Sequence, residues 1–390
     1  VIDEESAGPL AGLVVADFSR VLAGPYATMV LGDMGATVIK VEGPGHGDDT
    51  RTWRPPVVER PDGPEATYYL SINRNKHSIV LDLKDPDDRA TAQALAARAD
   101  VLIENFMAGT TARFGLDEPT VRAANPGVVY CSITGFGDRG GAQLGGYDLV
   151  VQATSGLMSL TGGADGEPTR AAIALFDVMC GLHASTAILG ALRHRDATGE
   201  GQHLKTNLLS TALSCMVDKT SAWVAGGVVP TRMGNAHQSL FPYEPLPTAD
   251  GDLIVIAAND HQFRRLCGAL GVPELLADPR FGSMVDRNRN RDELRPLLLE
   301  RLATRGAQEW FDVLSAAGVP CGPINTVDQG VALAESLGLD PVVHPGGGVG
   351  TVRNPVEWSL TPPQYRRTPP ALGADSDAVR EWLRQPRAKP

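Results

Sequence analysis

The strongest restriction on how this chain can fold is an alternation of short apolar runs with helix-like stretches, kept up from Leu13 to Ile133. Leu13-Val14-Val15-Ala16-Asp17-Phe18 is apolar until its polar end, as strands buried on both faces are. Gly24-Pro25 then opens a helical segment with proline in its first turn, and Gly32 and Gly35 close it. Residues 37–42 read as a second strand, and 43–63, rich in Gly and Pro, as a long loop over the edge of a site. The pattern resumes with strand 77–83, helix 86–98, strand 100–106, helix 119–124 and strand 128–133. Such alternation predicts a Rossmann-like parallel sheet flanked by helices, with ligands at the carboxyl ends of its strands. The segments to inspect are 19–24, 43–54, Lys84, 104–113 and 134–148.

The remainder divides unevenly. Val178, Leu182, Ile188, Leu189 and Leu192 space one long apolar helix over 178–195, ended by basic residues. Residues 203–208 read as strand and 209–224 as helix. The stretch 252–325 carries its own strand at 253–258, three helical patterns and a closing strand at 320–325. The expected organisation is α/β: a large domain of residues 1–225 and 329–390, interrupted by a smaller α+β domain of 226–328. The leg from 327 to 349 reads as irregular, and 376–383 as a final helix.

Composition narrows the functions. A net charge of -11, from 46 acidic against 35 basic residues, speaks against nucleic acid and anionic membranes as partners. The first ten residues are acidic and show no signal sequence. The apolar run 171–192 is interrupted by Asp177 and His183, which disfavours a membrane span and leaves a cytoplasmic protein as the expectation. Five cysteines without a Cys-x-x-Cys pair read as buried thiols, and eight scattered histidines give no metal site. No P-loop, no dinucleotide fingerprint and no Gly-x-Ser-x-Gly elbow is present, so nicotinamide dehydrogenases and serine hydrolases lose their support.

Asp177 is the residue that stands out, set in Ala171-Ala172-Ile173-Ala174-Leu175-Phe176-Asp177-Val178-Met179-Cys180-Gly181. An unpaired carboxylate in so apolar a context costs several kcal/mol to bury, so it must be satisfied or functional. It can cap the long helix, or the helix dipole can hold it ionised as a nucleophile. The local residues leave both readings open.

Several motifs recur together. Asp17-Phe18-Ser19-Arg20-Val21-Leu22-Ala23-Gly24-Pro25 and Leu31-Gly32-Asp33-Met34-Gly35-Ala36-Thr37-Val38-Ile39-Lys40-Val41-Glu42 lead, followed by Asn73-Arg74-Asn75-Lys76, Leu81-Asp82-Leu83-Lys84, Glu104-Asn105-Phe106 and Arg113-Phe114-Gly115. Gly146-Tyr147-Asp148 with Gln152-Ala153, Thr198-Gly199-Glu200-Gly201-Gln202 and Gly318-Val319-Pro320-Cys321-Gly322-Pro323 complete the series. In this order they resemble the class III CoA-transferases, which include formyl-CoA and carnitine CoA-transferases and α-methylacyl-CoA racemases. The resemblance implies an interlocked homodimer, with acyl-CoA and a small carboxylic acid as substrates and no permanently bound cofactor. It implies that Asp177 is acylated, and that CoA meets Val21, Leu22, Leu81, Lys84, Asn105, Phe106 and Arg113. Arg113 and Lys84 also read as solvated surface residues, and Asn105 as a cap.

Two departures qualify the resemblance. Gly43 stands where formyl-CoA transferases carry an arginine, and 232–239 lacks their glycine run, which puts an oxalate-type substrate in doubt. Arg232 and His237 there can face the acyl group or serve the loop. The racemases place a histidine where this chain has Tyr147. With a pKa of ~10 a tyrosine is a poor base near neutrality, which favours transfer over racemisation. Tyr147 then packs at the site, hydrogen-bonds a substrate oxygen or belongs to the core. A racemase, a silent CoA-binding protein and a thioesterase remain the alternatives.

Overall fold

The structure, a computed structural model, describes Ile2 and residues 7–386. Most of the acidic N-terminal stretch in which no signal sequence was read, and the last four residues of the expected large domain, therefore lie outside the described residues. The chain forms two compact units, one of residues 1–157, 171–228 and 340–390, the other of 158–170 and 229–339.

The first unit is built on β1 (Val14–Asp17), α1 (Ala23–Asp33), β2 (Thr37–Glu42), α2 (Thr67–Ile72), β3 (Lys76–Val80), α3 (Pro86–Arg98), β4 (Val101–Glu104), α4 (Glu118–Ala124), β5 (Val129–Thr134), α5 (Asp148–Thr154), α6 (Leu175–Thr198) and β6 (His203–Asn207). All six strands are parallel, in the order β3-β2-β1-β4-β5-β6. Alternate residues enter different cores, which explains the unbroken apolar runs. Val15, Val38, Val101 and Val129 pack with α1 and α6, while Ala16, Ile39, Leu102 and Tyr130 pack with α3 on the other face. Each fully buried side chain of this size is worth about 2 kcal/mol, so a one-residue slip of any central strand would forfeit several at once. The order reverses between β1 and β4, and the crevice outside their carboxyl ends is where such sheets bind ligands.

The C-terminal segment closes the β3 edge. The Asp33 carboxylate accepts from Arg74 (2.8 and 2.6 Å), Asn75 (2.9 Å) and Asn354 (3.1 Å), and Asn75 Oδ1 accepts the Arg366 N–H at 2.9 Å. The Asp375 carboxylate, in turn, accepts the Ser78 N–H at 3.0 Å.

The second unit has a three-stranded antiparallel sheet (Tyr243–Pro247, Asp252–Ile256, Cys321–Pro323) covered by Asp260–Leu270, Arg291–Leu302 and Ala307–Ala316. Leu253, Val255, Phe263, Leu266, Leu298 and Trp310 form its core.

Several sequence expectations need correction. The strand expected at 77–83 stops at Val80, because its partner β2 ends at Glu42, whose carbonyl takes the last bond from the Leu81 N–H. The helix expected at 209–224 is two helices, Leu208–Cys215 and Val217–Val224, broken where Val217 takes a φ of 33°. The leg read as irregular contains the helix Val327–Ser336, whose Thr326–Gln329 capping box was there to be read. The stretch 252–325 also holds a short fourth helix, Met284–Arg289.

Candidate active site

The turn after β1 is under strain and held from several sides. Val21 has a φ of 69°, a left-handed conformation that costs a β-branched residue roughly 1–3 kcal/mol. Its N–H is received by Asp48 Oδ1 at 3.3 Å, while Asp48 Oδ2 pairs with Lys40 Nζ at 2.8 Å, both side chains fully buried. Lys40 Nζ donates also to the Ser19 carbonyl at 3.0 Å. From the opposite side Asn105, just past β4, accepts the Arg20 N–H at 2.9 Å and donates to the Arg20 carbonyl at 2.8 Å. Asn105 thereby ties the two strands of the switch point together. Burial works against the Asp48 charge, but the Lys40 ammonium outweighs it and holds this carboxyl at about 2. Beneath the turn, buried Asp17 accepts from Thr28 (2.6 Å), Ser19 (2.5 Å) and Lys76 (3.1 Å).

Asp177 reaches the same crevice from α6. The helix begins at Leu175, three residues earlier than its apolar spacing suggests, so Asp177 sits within the first turn and caps nothing. The residue preceding the helix, Ala174, has no side chain able to cap it. The cap comes instead from α5, where Asp148 Oδ2 accepts the Phe176 N–H at 3.0 Å. One turn further on, Gln152 donates to Asp148 Oδ1 (2.6 Å) and the Ile173 carbonyl (3.1 Å) and accepts from the Ala171 N–H (2.8 Å). Gly181, one turn after Asp177, lets α6 close on α1, since a Cβ there would lie 2.6 Å from the Ala23 carbonyl oxygen.

Asp177 lines a cavity of about 80 Å³ with Ala23, Asn105, Phe106, Thr134, Gly135 and Gly146. Gly135 and Gly146 touch backbone to backbone, a Cβ on the first falling 2.3 Å from the second's Cα. Burial, and then the nearby Asp148 charge, push the Asp177 carboxyl up to about 7. A carboxyl held there is part protonated and part ionised at neutral pH. Tyr68 on α2 feels the same surroundings; burial, followed by Asp177 and Asp148, raises its hydroxyl to about 12. A second cavity of about 230 Å³ shares Phe106, Met107, Ala108, Thr134 and Gly137 with the first and continues past Ser132, His203 and Lys205.

The structure thus brings Asp177, Asn105 and Phe106 to one cavity, with Val21 and Leu22 in the turn leading to Ala23 on its wall. Leu81 is buried, whereas Lys84 is exposed before α3. Arg113 is exposed after β4, where it donates to Thr110 Oγ1 at 3.1 Å. Tyr147 is 64% exposed, immediately before α5, and is not among the residues lining the Asp177 cavity. In the second unit Arg232 donates to the Gly166 carbonyl (2.9 Å), and His237 Nδ1 accepts the Ser239 N–H (3.0 Å). Asp48 and Gly181 were given no role by the sequence, and Lys40, Asp148 and Gln152 entered only as motif letters. Gly181 carried a physical signal of its own, a glycine inside an apolar helix having a packing reason as a rule.

The chain as a whole has close counterparts among known proteins. The profile of CoA-transferase family III matches residues 10–376. The chain belongs to that family. It is 42% identical over 372 residues to a succinate–glutarate CoA-transferase of Agrobacterium fabrum, covering 94% of this chain and 93% of that one. It is 39% identical to an acetyl-CoA:oxalate CoA-transferase of Acetobacter aceti, covering 98% and 97%. A crystal structure of a CAIB/BAIF family protein from Brucella suis superposes with a TM-score of 0.89 at 39% identity, covering 97% of this chain and all of that one. The protein is a CoA-transferase acting between an acyl-CoA thioester and a carboxylate, with the CoA ester as its substrate.

Proposed function

We propose that Asp177 is the nucleophile of this transfer, and the observation that carries the reading is its position: a carboxyl in the first turn of α6, walled by apolar and glycine residues and facing the switch-point turn. Its carboxylate attacks the donor thioester carbonyl, giving an aspartyl–acyl anhydride and CoA thiolate. The thiolate then attacks the aspartyl carbonyl, releasing the donor acid and leaving an aspartyl-CoA thioester. An acceptor carboxylate attacks that thioester, expelling the thiolate. The thiolate takes the new acyl group and frees Asp177. Each step exchanges one acyl bond for another. Backbone N–H groups at the start of α1, beside the cavity wall at Ala23, are the donors proposed for the oxyanions formed.

The CoA chain is proposed to enter over Phe106 and the second cavity, meeting Val21, Leu22 and Asn105 at the turn. Arg113 and Lys84 offer their cations at the strand ends, and Leu81 shapes the bend before Lys84. Tyr147 borders the site at its exposed rim. The acids are small carboxylic acids. Succinate, glutarate and oxalate belong in the first panel because two relatives are named for them. Incubating a panel of acyl-CoAs with a panel of carboxylates, and reading CoA-ester products by mass spectrometry, tests the function. New esters appearing with at least one pair support it, and hydrolysis without transfer in every pair contradicts it.

The proposed working form is an interlocked homodimer of chains, each with a large CoA-binding domain (1–225, 329–390) and a small one (226–328). The support is that less than half of the most apolar stretch of α6 is buried in one chain. Leu182, Ile173, Trp223 and Val224 also stand exposed. Light scattering at nanomolar concentration that finds a folded monomer contradicts it. A cytoplasmic location is supported by five unpaired thiols.

A further inference from the structure

We propose that Asp148 and Gln152 are positioning residues for Asp177, setting both where its carboxylate sits and the charge it faces. The proposal rests on the reading of Asp177 as nucleophile. The sequence shows the pair only as part of a motif; the hydrogen bonds give it a job.

The segment 171–176 that delivers Asp177 has no regular structure until Leu175, and Ala174 cannot cap the helix. Three of its backbone groups are instead fixed by α5. Ala171 N–H and the Ile173 carbonyl go to Gln152 (2.8 and 3.1 Å), and Phe176 N–H goes to Asp148 (3.0 Å). The Gln152–Asp148 bond, at 2.6 Å, locks the two side chains to each other, so neither can turn alone. Both are polar and yet buried, at 1% and 6% exposure, on the face of α5 that also buries Val151. Burying two polar side chains costs stability unless they are hydrogen-bonded, and the bonds these two make go to the backbone that leads into Asp177.

Both Asp148 oxygens accept N–H donors, the pattern of an ionised carboxylate. The titratable groups that interact with Asp177 come from three elements: Asp148 on α5, Tyr68 on α2 and Cys180 on the next turn of α6. Burial pushes the Tyr68 hydroxyl and the Cys180 thiol upward, so both are neutral in the working range. Asp148 is left as the charge that Asp177 faces, and this like charge favours the protonated nucleophile. The clamp therefore has two separable effects. The hydrogen bonds fix position, while the charge fixes the pH at which Asp177 becomes reactive.

The experiment is a single turnover with a chosen acyl-CoA, following the covalent adduct on the Asp177 peptide by mass spectrometry from about pH 5 to about pH 9. Gln152→Ala removes position and keeps the charge; adduct formation should slow about tenfold or more with its pH midpoint unmoved. Asp148→Asn still accepts the Phe176 N–H, since asparagine caps as well as aspartate. It presents an N–H to Gln152, however, and carries no charge, so the midpoint should fall by about one unit as well as the rate. Asp148→Glu retains the charge, keeping its midpoint near wild type, and serves should the asparagine variant not fold. A midpoint identical in the Asn and Glu variants, or adduct formation unaffected by Gln152→Ala, overturns the proposal. Asp177→Asn is the separate control: an adduct elsewhere on the chain in that variant defeats the nucleophile reading itself, whatever the clamp variants do.

Discussion

Replacing Asp177 by asparagine should destroy transfer and yet stabilise the protein, and the second half follows from the surroundings of the side chain. The folded chain raises this carboxyl from an ordinary 3.8 to about 7, first by burial and then through Asp148. The folded state thus holds the proton more tightly than the unfolded chain does. Raising the pH from about 4 to about 7 deprotonates Asp177 in the unfolded chain first, and stability is lost across that window. A shift of this size corresponds to about 4 kcal/mol, which water at the open side of the cavity trims to about 2–4 kcal/mol. Asparagine carries no such penalty and fills the same space. The variant should therefore match wild type near pH 4, exceed it increasingly up to about pH 7, and keep a constant lead above that. Denaturant unfolding of both proteins at a series of pH values, monitored by circular dichroism, measures the difference. A gap independent of pH, or a wild type more stable than the variant at pH 8, would refute the reasoning. Retained CoA binding in the variant separates lost chemistry from lost structure.

Three other expectations follow from particular contacts. Gly181→Val places a Cβ within 2.6 Å of the Ala23 carbonyl oxygen and should cost about 1–3 kcal/mol, with activity lost as α6 is pushed off α1; unfolding midpoints and transfer rates check both. Lys40→Met strands the buried Asp48 charge beneath the strained Val21 turn, for a loss of about 3–5 kcal/mol; an unfolding curve that matches wild type would show the pair is idle. Tyr147→His should not yield a good racemase, because the side chain at this position stands 64% exposed outside the lining of the Asp177 cavity; deuterium uptake at the α-carbon of a branched acyl-CoA is the readout.

Periodicity carried most of the first unit. Continuous apolar runs such as Val14–Asp17 and Thr37–Glu42 are legible because a strand buried on both faces has no room for alternation. The expected bounds of α3, 86–98, hold to the residue, and the structure shows local causes for its start, an Asp85 cap and a proline in the first turn. The start of α6 was misread for the opposite reason. Its cap is Asp148, 28 residues away in the chain, and no local rule sees a partner that only the tertiary fold supplies. The same holds for Lys40 and Asp48, which look like ordinary strand and loop residues until the fold buries them against the Val21 turn. Asp177 itself was conspicuous as a lone carboxylate in an apolar run, whereas the fact that Asp148 serves the cap shows only in the fold.

The most direct test of the account is to trap the acyl-enzyme. Wild-type protein is incubated with an acyl-CoA substrate, quenched with hydroxylamine, digested and examined by mass spectrometry. The account predicts a hydroxamate on Asp177, in the peptide that begins α6, and its loss in Asp177→Asn. Unmodified Asp177 in protein that is still turning over, or a hydroxamate on a different carboxylate, would contradict it.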